Sequence, residues 1–366
     1  MILTNKKINL LNMNQKKMKD FFISLGEKPF LANQIMKWIY HYNCVDFNKM
    51  TNIKKSLRQY LIQNTNIYAP DIIQKKHSLD GTIKFIFKIE NQYIESVYIP
   101  EKNRSTLCVS SQIGCSLKCT FCATAKSGFN RNLTTSEIIG QVLQISKIIS
   151  YLKKNKNKKC ITNIVMMGMG EPLLNLNNVI PAIEIMLDSY GFGLSKRSIT
   201  ISTSGVIPAI EKLKSMLDVV LAISLHAPND KIRNEIMPIN KKYNIYNLLK
   251  VSKKYVNKSK ANKGKITIEY VMLKNVNDQN KHAYQLIICL KNIPCKINLI
   301  PWNSFPNSLY QCSSHNRIMN FYNILITNGF ITTIRKIRGN DINAACGQLS
   351  GNLINRIRNK KLIRII

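Results

Sequence analysis

The feature that most restricts the fold of this chain is a repeated alternation of strand-like and helix-like segments from about residue 104 onward. Helical segments are predicted at 134–152, 176–189, 245–256 and 279–291 from apolar residues at three- and four-residue intervals. Between and around them lie β-rich stretches, which are STLCVSS, TNIVMMG, RSITIST, VVLAISL, ITIEYVML, CKINLIP and, near 330, FITTIRK. Repeated βα units predict an α/β fold with a parallel sheet inside a layer of helices, closed partway into a barrel of six βα units. The active site of such a fold is then expected beyond the carboxyl ends of the strands.

The residues before the barrel have a different pattern. Segments KMKDFFISL and FLANQIMKWIYHY predict helices, and GTIKFIFKI with QYIESVYIP predicts a β-hairpin around Glu90 and Asn91. We therefore expect an N-terminal helical accessory domain over 1–80, a hairpin linker over 81–103, the core barrel over 104–340 and a C-terminal segment over 341–366.

Length and apolar patterning limit where the protein works. A chain of 366 residues can bury a large core, and its longest apolar runs, such as VVLAISL at 219–225, are too short to cross a bilayer. The first ten residues lack the continuous apolar segment of a secretory signal. We therefore expect a cytoplasmic protein with no membrane partner. Because the cytosol is reducing, clustered cysteines there indicate metal binding or catalysis before they indicate disulfides.

The net charge has two interpretations. The formal value is +35, from 54 basic and 19 acidic residues, which favours a polyanionic partner such as nucleic acid. The chain is also rich in Lys, Asn and Ile throughout, as an AT-rich genome would produce without selection for binding. Runs such as KKNKNKK at 153–159 are expected to be solvated loops. Composition alone leaves both interpretations open.

A cluster of cysteines follows the first barrel strand. Cys115, Cys119 and Cys122 form a C-x3-C-x2-C pattern, with Phe121 directly before the last thiol. Three thiolates are one too few for a closed structural zinc site or a fully ligated cubane. A [4Fe–4S] cluster held by three cysteines keeps one iron open for an exogenous ligand, whereas a zinc knuckle would borrow a distant Cys or His.

Polar residues also end several of the predicted strands. MGMGEP at 167–172 contains Gly170 and Glu171, and later strand ends carry Ser202, Ser224 and Asn303. Taken singly, each segment is an ordinary turn or a polar strand end. Spread over one barrel mouth, they predict a binding site there.

These motifs together resemble a known family. The cysteine pattern is similar to that of the radical S-adenosylmethionine (SAM) superfamily, and over nearly its whole length the chain resembles the bacterial dual-specificity adenosine-C2 methyltransferases of 23S rRNA and tRNA. The segments that carry the resemblance are ESVYIP, CVSSQIGCSLKCTFCATAKSGFNRNL, NIVMMGMGEPLLN, STSGVIP, SLHAPND, RNEIMPIN, PWN and GNDINAACGQL. The resemblance implies a [4Fe–4S] cluster on the three cysteines and two SAM molecules per turnover. The implied SAM contacts are Gly170, Glu171, Ser202, Ser224, Leu225, His226 and Asn303.

The resemblance further implies a mechanism that uses two more cysteines. Cys346 would take a methyl group from one SAM, and a radical made from the second SAM would activate that methyl for addition to adenine C2. Cys108 would then attack the Cys346 sulfur, release the methylated adenine and leave a disulfide, while Glu95 would act as general base for the C2 proton. Without the resemblance, Cys108 would be interpreted as a buried strand cysteine, Cys346 as an ordinary thiol and Glu95 as a solvent-facing residue.

The substrates implied by the resemblance are adenosine 2503 of 23S rRNA and adenosine 37 of tRNA. The implied partners are an electron donor of the flavodoxin or ferredoxin type and a disulfide reductant; the N-terminal domain would bind RNA, and the protein would be a monomer. Two other classes remain open at this stage. One is a sister radical methylase that acts on adenosine C8 of 23S rRNA, and the other is a non-enzymatic basic RNA-binding protein with a structural metal.

Overall fold

The architecture was obtained from a computed structural model, which describes residues 7–152 and 160–351. The predicted solvated run at 153–159 lies outside the described residues, as does the 352–366 part of the predicted C-terminal segment. Fourteen strands occur in the described chain: β1 Ile8–Asn9, β2 Thr65–Asn66, β3 Asp71–His77, β4 Ile83–Ile89, β5 Gln92–Pro100, β6 Ser105–Cys108, β7 Gln112–Gly114, β8 Phe129–Asn132, β9 Asn163–Met166, β10 Ile199–Thr203, β11 Val220–Ser224, β12 Ile266–Met272, β13 Cys295–Pro301 and β14 Ile331–Ile334.

Eleven α-helices accompany these strands in the described ranges. They are α1 Gln15–Ser24, α2 Phe30–Met36, α3 Lys55–Asn64, α4 Ala123–Lys126, α5 Thr135–Leu152, α6 Leu176–Leu187, α7 Ile207–Met216, α8 Asp230–Ile236, α9 Ile245–Lys258, α10 Asn280–Leu290 and α11 His315–Thr327. The four helices that the sequence predicted after residue 104 correspond to α5, α6, α9 and α10, so those predictions are confirmed. No helix of the described residues is long and apolar enough to cross a membrane.

One ten-stranded sheet organises the molecule, in the order β14-β13-β12-β11-β10-β9-β6-β5-β4-β3. Strands β6 and β9 to β14 are mutually parallel, and β5, β4 and β3 continue the sheet in antiparallel fashion. The predicted α/β class with a partial barrel is therefore confirmed, as is the hairpin, which is the β4–β5 pair. Strand β3 lies inside the range predicted for the N-terminal domain but pairs with β4.

The helices begin where the sequence supplies a side chain that can accept a hydrogen bond from a free backbone N–H. Asn229 caps α8 by accepting from the Ile232 N–H, and Asn244 caps α9 by accepting from the Asn247 N–H, both at 3.0 Å. Strand β12 is buried at every position because helices cover the parallel sheet. The caps and the buried strands fix the loops at the carboxyl ends of the sheet, where the site lies.

The N-terminal helices pack against the outside of the barrel helices. The backbone of Gly140 in α5 lies so close to the segment after β2 that an added Cβ would be 2.6 Å from Cδ of Pro70. Asn12 accepts a hydrogen bond from the Ser136 N–H at 2.8 Å, and the His41 ring lies 3.0 Å from the Ser189 carbonyl oxygen. The segments that flank α1 to α3 are therefore fixed against the helical layer of the barrel.

Candidate active site at the carboxyl ends of the strands

The cysteine loop between β7 and α4 is held by backbone contacts to several elements. The Thr120 N–H donates to the Ile236 carbonyl at 3.0 Å, and the Trp302 indole N–H donates to the Phe121 carbonyl at 3.0 Å. Beyond the last cysteine, the Ala123 N–H donates to the Gly347 carbonyl at 2.8 Å. The loop is therefore anchored to α8, to the end of β13 and to the C-terminal segment, which fixes its three thiols.

All three thiols face one cavity of about 160 Å³, which we call the smaller cavity. Burial raises the pKa of Cys115 to about 12, and burial raises the pKa of Cys119 and of Cys122 as well. The free thiols are therefore protonated at neutral pH, and binding a cluster through them would release protons.

The spacing of these thiols fits a cluster better than a single ion. Across residues 7–152 and 160–351, no three His, Cys, Asp or Glu side chains converge on one point that a metal ion could occupy. In a cubane each thiolate binds a different iron, so the sulfurs surround a volume instead of meeting at a point. Three thiols around a shared cavity match that requirement, and Cys115, Cys119 and Cys122 would hold the group.

Most of the implied SAM contacts share this cavity with the thiols. Five line it, namely Gly170, Glu171, Ser202, Ser224 and His226. Asn303 lines the adjoining larger cavity, described below, and Leu225 is buried beside the site without lining either one. The smaller cavity thus combines thiols, hydroxyls and a carboxylate from four different strand ends.

Glu171 is a buried carboxylate built into this wall. It accepts hydrogen bonds from the backbone N–H of Ser204 at 2.8 Å and of Leu173 at 3.2 Å, while its own N–H donates to the Gln112 side chain at 2.8 Å. Burial raises the pKa of this carboxyl group. A carboxylate fixed in this way can accept from an ammonium group placed in the cavity.

His226 is a neutral donor held in an unusual backbone conformation. Its φ is 59°, and its Nδ1 accepts a hydrogen bond from the Val271 N–H at 3.0 Å. Burial lowers the pKa of the ring to about 3, so the single ring proton sits on Nε2. The ring meets Phe121 edge to face at 5.0 Å between centroids, which ties this strand end to the cysteine loop.

Asn303 supplies a direct test of whether the site fits a polar ligand. Its side-chain nitrogen donates to the Cys346 carbonyl at 3.3 Å, but its buried Oδ1 has no hydrogen-bond partner. An unpaired buried acceptor costs about 1–3 kcal/mol, so a ligand that donates a hydrogen bond to it would gain binding energy. A donor on a ligand that spans both cavities would satisfy Oδ1, and this acceptor together with the Glu171 carboxylate fits a ligand with several polar groups, such as SAM.

The larger cavity, of about 720 Å³, is the lumen enclosed by the curved sheet. Residues of all seven parallel strands line it, and so do Cys108 and Cys346. Both are free thiols. Burial, with a smaller contribution from Cys346, raises the pKa of Cys108 to about 12. The structure thus brings the two implied catalytic cysteines to one cavity, from β6 and from the segment after β14.

Glu95 is placed differently. It is 6 % exposed, so it is not a solvent-facing residue, yet it lines neither cavity. Its Oε1 lies 3.4 Å from Nζ of Lys84, and its Oε2 accepts from the Ser350 N–H at 3.3 Å. Lys84 also donates to the Asn343 carbonyl at 2.9 Å. Glu95 is therefore connected to the segment that carries Cys346 and does not face the lumen directly.

Sequence reasoning missed the charged residues of the lumen. Arg335 and Glu269 line both cavities, with 3.9 Å between Nη1 and Oε2, and Asn298 donates to the same carboxylate oxygen at 2.9 Å. Interaction with Cys346 and with Glu269 raises the pKa of Arg335. In the sequence, each of them is only a charged or polar residue in or directly after a strand. Its inward-facing position can be recognised only once the strand register is known.

Comparison with known proteins identifies the two parts of the chain. The model of the ribosomal RNA large subunit methyltransferase N-terminal domain matches residues 8–67, and that of the radical SAM superfamily matches residues 109–287. The chain is 62% identical over 360 residues to a dual-specificity RNA methyltransferase RlmN from Wigglesworthia glossinidia brevipalpis, covering 98% of this chain and 94% of that protein. The crystal structure of a radical SAM methyltransferase from Sphaerobacter thermophilus matches with a TM-score of 0.87 and 36% identity, covering 94% of this chain and 100% of that one.

Proposed function

We propose, from the premise that this chain belongs to the dual-specificity RNA methyltransferase RlmN family of radical SAM enzymes, that it methylates C2 of adenosine in 23S rRNA and in tRNA. The observation that carries the proposal is the convergence of Cys108 and Cys346 on the lumen, next to the cavity with the three cluster thiols. A methyl transfer that needed only SAM and a nucleophilic substrate would have no use for a second pair of thiols.

Adenine C2 explains why two thiols are needed. It is an electron-poor aromatic carbon without a nucleophile for the SAM methyl group, so simple displacement fails there. Cys115, Cys119 and Cys122 would hold a [4Fe–4S] cluster, which would supply the single electron for reductive cleavage of SAM.

Cys346 is the methyl carrier in this proposal. It lines both cavities, so its sulfur can accept a methyl group on the SAM side and present it to an adenine in the lumen. Arg335 lines the same two cavities as Cys346, and its interaction with Cys346 raises the pKa of the guanidinium, which keeps a positive charge in the walls of both cavities.

Cys108 releases the product. Its sulfur attacks the Cys346 sulfur, the bond from that sulfur to the methylene carbon breaks, and the electron pair goes to the carbon, which takes up a proton to become the methyl group. The Cys108–Cys346 disulfide that results must be reduced before the next turnover. Glu95 is proposed as the base for the C2 proton, and in the structure its carboxylate accepts from the Ser350 N–H of the segment that carries Cys346.

Several finer points belong to the same proposal. The electron donor is of the flavodoxin or ferredoxin type, a thiol reductant regenerates Cys108 and Cys346, and helices α1 to α3 contribute to RNA binding. The enzyme acts as a monomer in the cytoplasm. The excess of basic residues that gives the formal charge of +35 supports an RNA partner.

The test separates the two cysteines by what each variant accumulates with RNA. Cys346→Ala should form no covalent adduct, whereas Cys108→Ala should trap the enzyme on RNA through Cys346, in a complex that survives denaturing electrophoresis. Cys295→Ala is the matched control, because Cys295 is also a buried strand thiol but lines neither cavity. Normal turnover of Cys108→Ala without an adduct would contradict the resolving role, and a methyl group located by mass spectrometry on C8 would contradict C2 chemistry.

A further inference from the structure

Cys346 lies in a segment that has little regular structure of its own. After β14 ends at Ile334, the described part of the chain contains one short helical turn, Asn340–Ile342, and otherwise irregular backbone up to residue 351. Irregular backbone is positioned by contacts with neighbouring elements, because it lacks the internal hydrogen bonds of a helix or a sheet. The contacts that this segment makes therefore decide where the Cys346 thiol lies.

The turn between β3 and β4 holds this segment through the carboxylate of Asp80. Its Oδ2 accepts a hydrogen bond from the Gly339 N–H at 3.0 Å, and its Oδ1 accepts from the Thr82 N–H of its own turn at 2.9 Å. Although burial opposes the shift, hydrogen bonds from its neighbours lower the pKa of Asp80 to about 2. The carboxylate is therefore ionised at neutral pH and accepts at both oxygens.

A second carboxylate makes the same kind of contact in the opposite direction. Asp341, in the helical turn of the C-terminal segment, accepts from the Ser78 hydroxyl at 2.7 Å through Oδ1 and from the Leu79 N–H at 3.2 Å through Oδ2. Each of the two segments thus supplies a carboxylate that binds the other. We call this reciprocal pair, Asp80 and Asp341 with the groups that they bind, the clasp.

Close packing accompanies the clasp. Gly339 has a φ of +63°, and an added Cβ would lie 2.9 Å both from Cγ2 of Thr82 and from Cβ of Ala344. Farther along the segment, Lys84 in β4 donates to the Asn343 carbonyl at 2.9 Å. The β3–β4 turn and β4 therefore contact the segment at successive positions before its cysteine.

The sheet that receives the clasp also carries the other proposed catalytic cysteine. Strand β5 pairs with β4 on one side and with β6 on the other, where Val97 lies opposite Cys108. Glu95 belongs to β5 as well, and its carboxylate accepts from the Ser350 N–H at 3.3 Å, beyond Cys346. One antiparallel unit, β3 to β5, therefore contacts the segment on both sides of the Cys346 thiol and pairs with the strand that ends at Cys108.

We propose that Asp80 and Asp341 are positioning residues that hold the Cys346 thiol within reach of Cys108. The inference rests on the proposed function, because that function gives the two thiols their roles as methyl carrier and resolving nucleophile. Neither carboxylate lines either cavity, so neither is assigned a contact with SAM or adenine. Their effect is on how often the two sulfurs meet, and thus on the step that releases the product.

A thiol–disulfide equilibrium measures this positioning without requiring turnover. The reconstituted full-length protein, with a Cys346 shown by mass spectrometry to be unmethylated, is equilibrated anaerobically with mixtures of reduced and oxidised glutathione. As the Cys108–Cys346 disulfide forms, oxidised glutathione takes up the two electrons and two protons of the thiols and becomes two molecules of reduced glutathione. Quenching and peptide mass spectrometry then give the effective concentration, which is the concentration of free thiol that would react equally well.

The variants are Asp80→Ala and Asp341→Ala, with Asp218→Ala as the matched control. Like Asp341, Asp218 accepts from one serine hydroxyl, that of Ser259 at 2.6 Å, and from one backbone N–H, that of Ala261 at 3.3 Å. It connects the loop before β11 to the loop before β12 and lines neither cavity. It therefore reports the effect of losing an equivalent pair of hydrogen bonds elsewhere in the protein.

Asp80→Ala and Asp341→Ala should each lower the effective concentration at least fivefold. The Kd for SAM in calorimetry should stay within twofold, because neither residue borders the SAM site, and Asp218→Ala should change neither quantity. If an alanine variant does not fold, Asp80→Asn or Asp341→Asn decides. The amide keeps the shape of the carboxylate but offers one acceptor oxygen in place of two, so it should also lower the effective concentration.

An effective concentration that is unchanged in both clasp variants would overturn the inference. An equal decrease in Asp218→Ala would overturn it as well, because the loss would then reflect general loosening of the protein. Failure of the proposed function appears in a different measurement, namely turnover of Cys108→Ala without an RNA adduct, and it leaves the glutathione equilibrium unaffected.

Discussion

Gly170 offers the most direct test of how the wall of the smaller cavity is built. Its φ is +98°, a conformation that L side chains rarely adopt, and an added Cβ would lie 2.5 Å from Cβ and 2.7 Å from Cγ of Gln112. Gln112 accepts from the Glu171 N–H at 2.8 Å and donates to Asn132 at 2.8 Å. Gly170→Ala must therefore displace the side chain that orients the proposed SAM-binding carboxylate.

The magnitude follows from two contributions. The positive φ costs roughly 1–2 kcal/mol for a residue with a Cβ, and forcing a methyl group into packed atoms costs about 1–3 kcal/mol more. Gly170→Ala should therefore lower the free energy of unfolding by about 2–5 kcal/mol. Gly264→Ala is the control, because Gly264 has φ +73° but no atom within 4 Å of the added Cβ, so only the conformational cost applies.

The assay is urea unfolding of the cluster-free protein, with SAM calorimetry on the reconstituted protein. Gly170→Ala should unfold at lower urea than Gly264→Ala and should also bind SAM more weakly, whereas Gly264→Ala should bind SAM normally. Equal losses of stability in the two variants, or normal SAM binding by Gly170→Ala, would refute the argument that close packing at this position orients Glu171.

Three further predictions follow from the same site. Glu171→Gln should weaken SAM binding by about 1.5–3 kcal/mol through loss of one charge-assisted contact, and an unchanged Kd in calorimetry would mean that the carboxylate only caps the turn. The triple change of Cys115, Cys119 and Cys122 to Ala should remove the roughly four irons of one cubane, as measured by iron analysis, and full retention of iron would contradict the ligand assignment. Because burial raises the pKa of Cys108 to about 12, its thiolate fraction increases with pH, and single-turnover release of the RNA adduct should accelerate roughly tenfold per pH unit between about pH 7 and 9. A rate independent of pH would show that attack by Cys108 does not limit release.

The sequence was most informative where structure is determined locally. The helix predicted at 245–256 is α9, Ile245–Lys258, and the strand CKINLIP is β13 at the predicted residues. Strand β3 was missed because its sequence, DIIQKKH, has the exposed polar residues of an edge strand, which hide the apolar alternation. The β7–β8 pair was missed because each strand is short and the cysteine loop separates them.

The same distinction holds for the site. The cluster thiols lie within eight residues of one another, so their spacing alone indicated a metal site. Glu269 and Asn298 lie in β12 and β13, and Arg335 directly follows β14. Their contacts depend on strand register, which a single sequence does not reveal. The contacts of Asp80 and Asp341 are likewise tertiary, since each carboxylate binds a segment that is distant along the chain.

The position of Cys346 is compatible with the two half-reactions that the proposed mechanism assigns to its sulfur. Its carbonyl accepts from Asn303 at the end of β13, and the next carbonyl, of Gly347, accepts from the Ala123 N–H just after the last cluster cysteine. The proposed methyl carrier is thus fixed by its backbone to the walls of both cavities. Its side chain lines the smaller cavity and the lumen alike, so in the proposed mechanism the same sulfur borders both the SAM site and the space for adenine. A thiol held at this boundary accounts for the need for a second thiol, since a product bonded to a fixed sulfur leaves only when another sulfur takes its place.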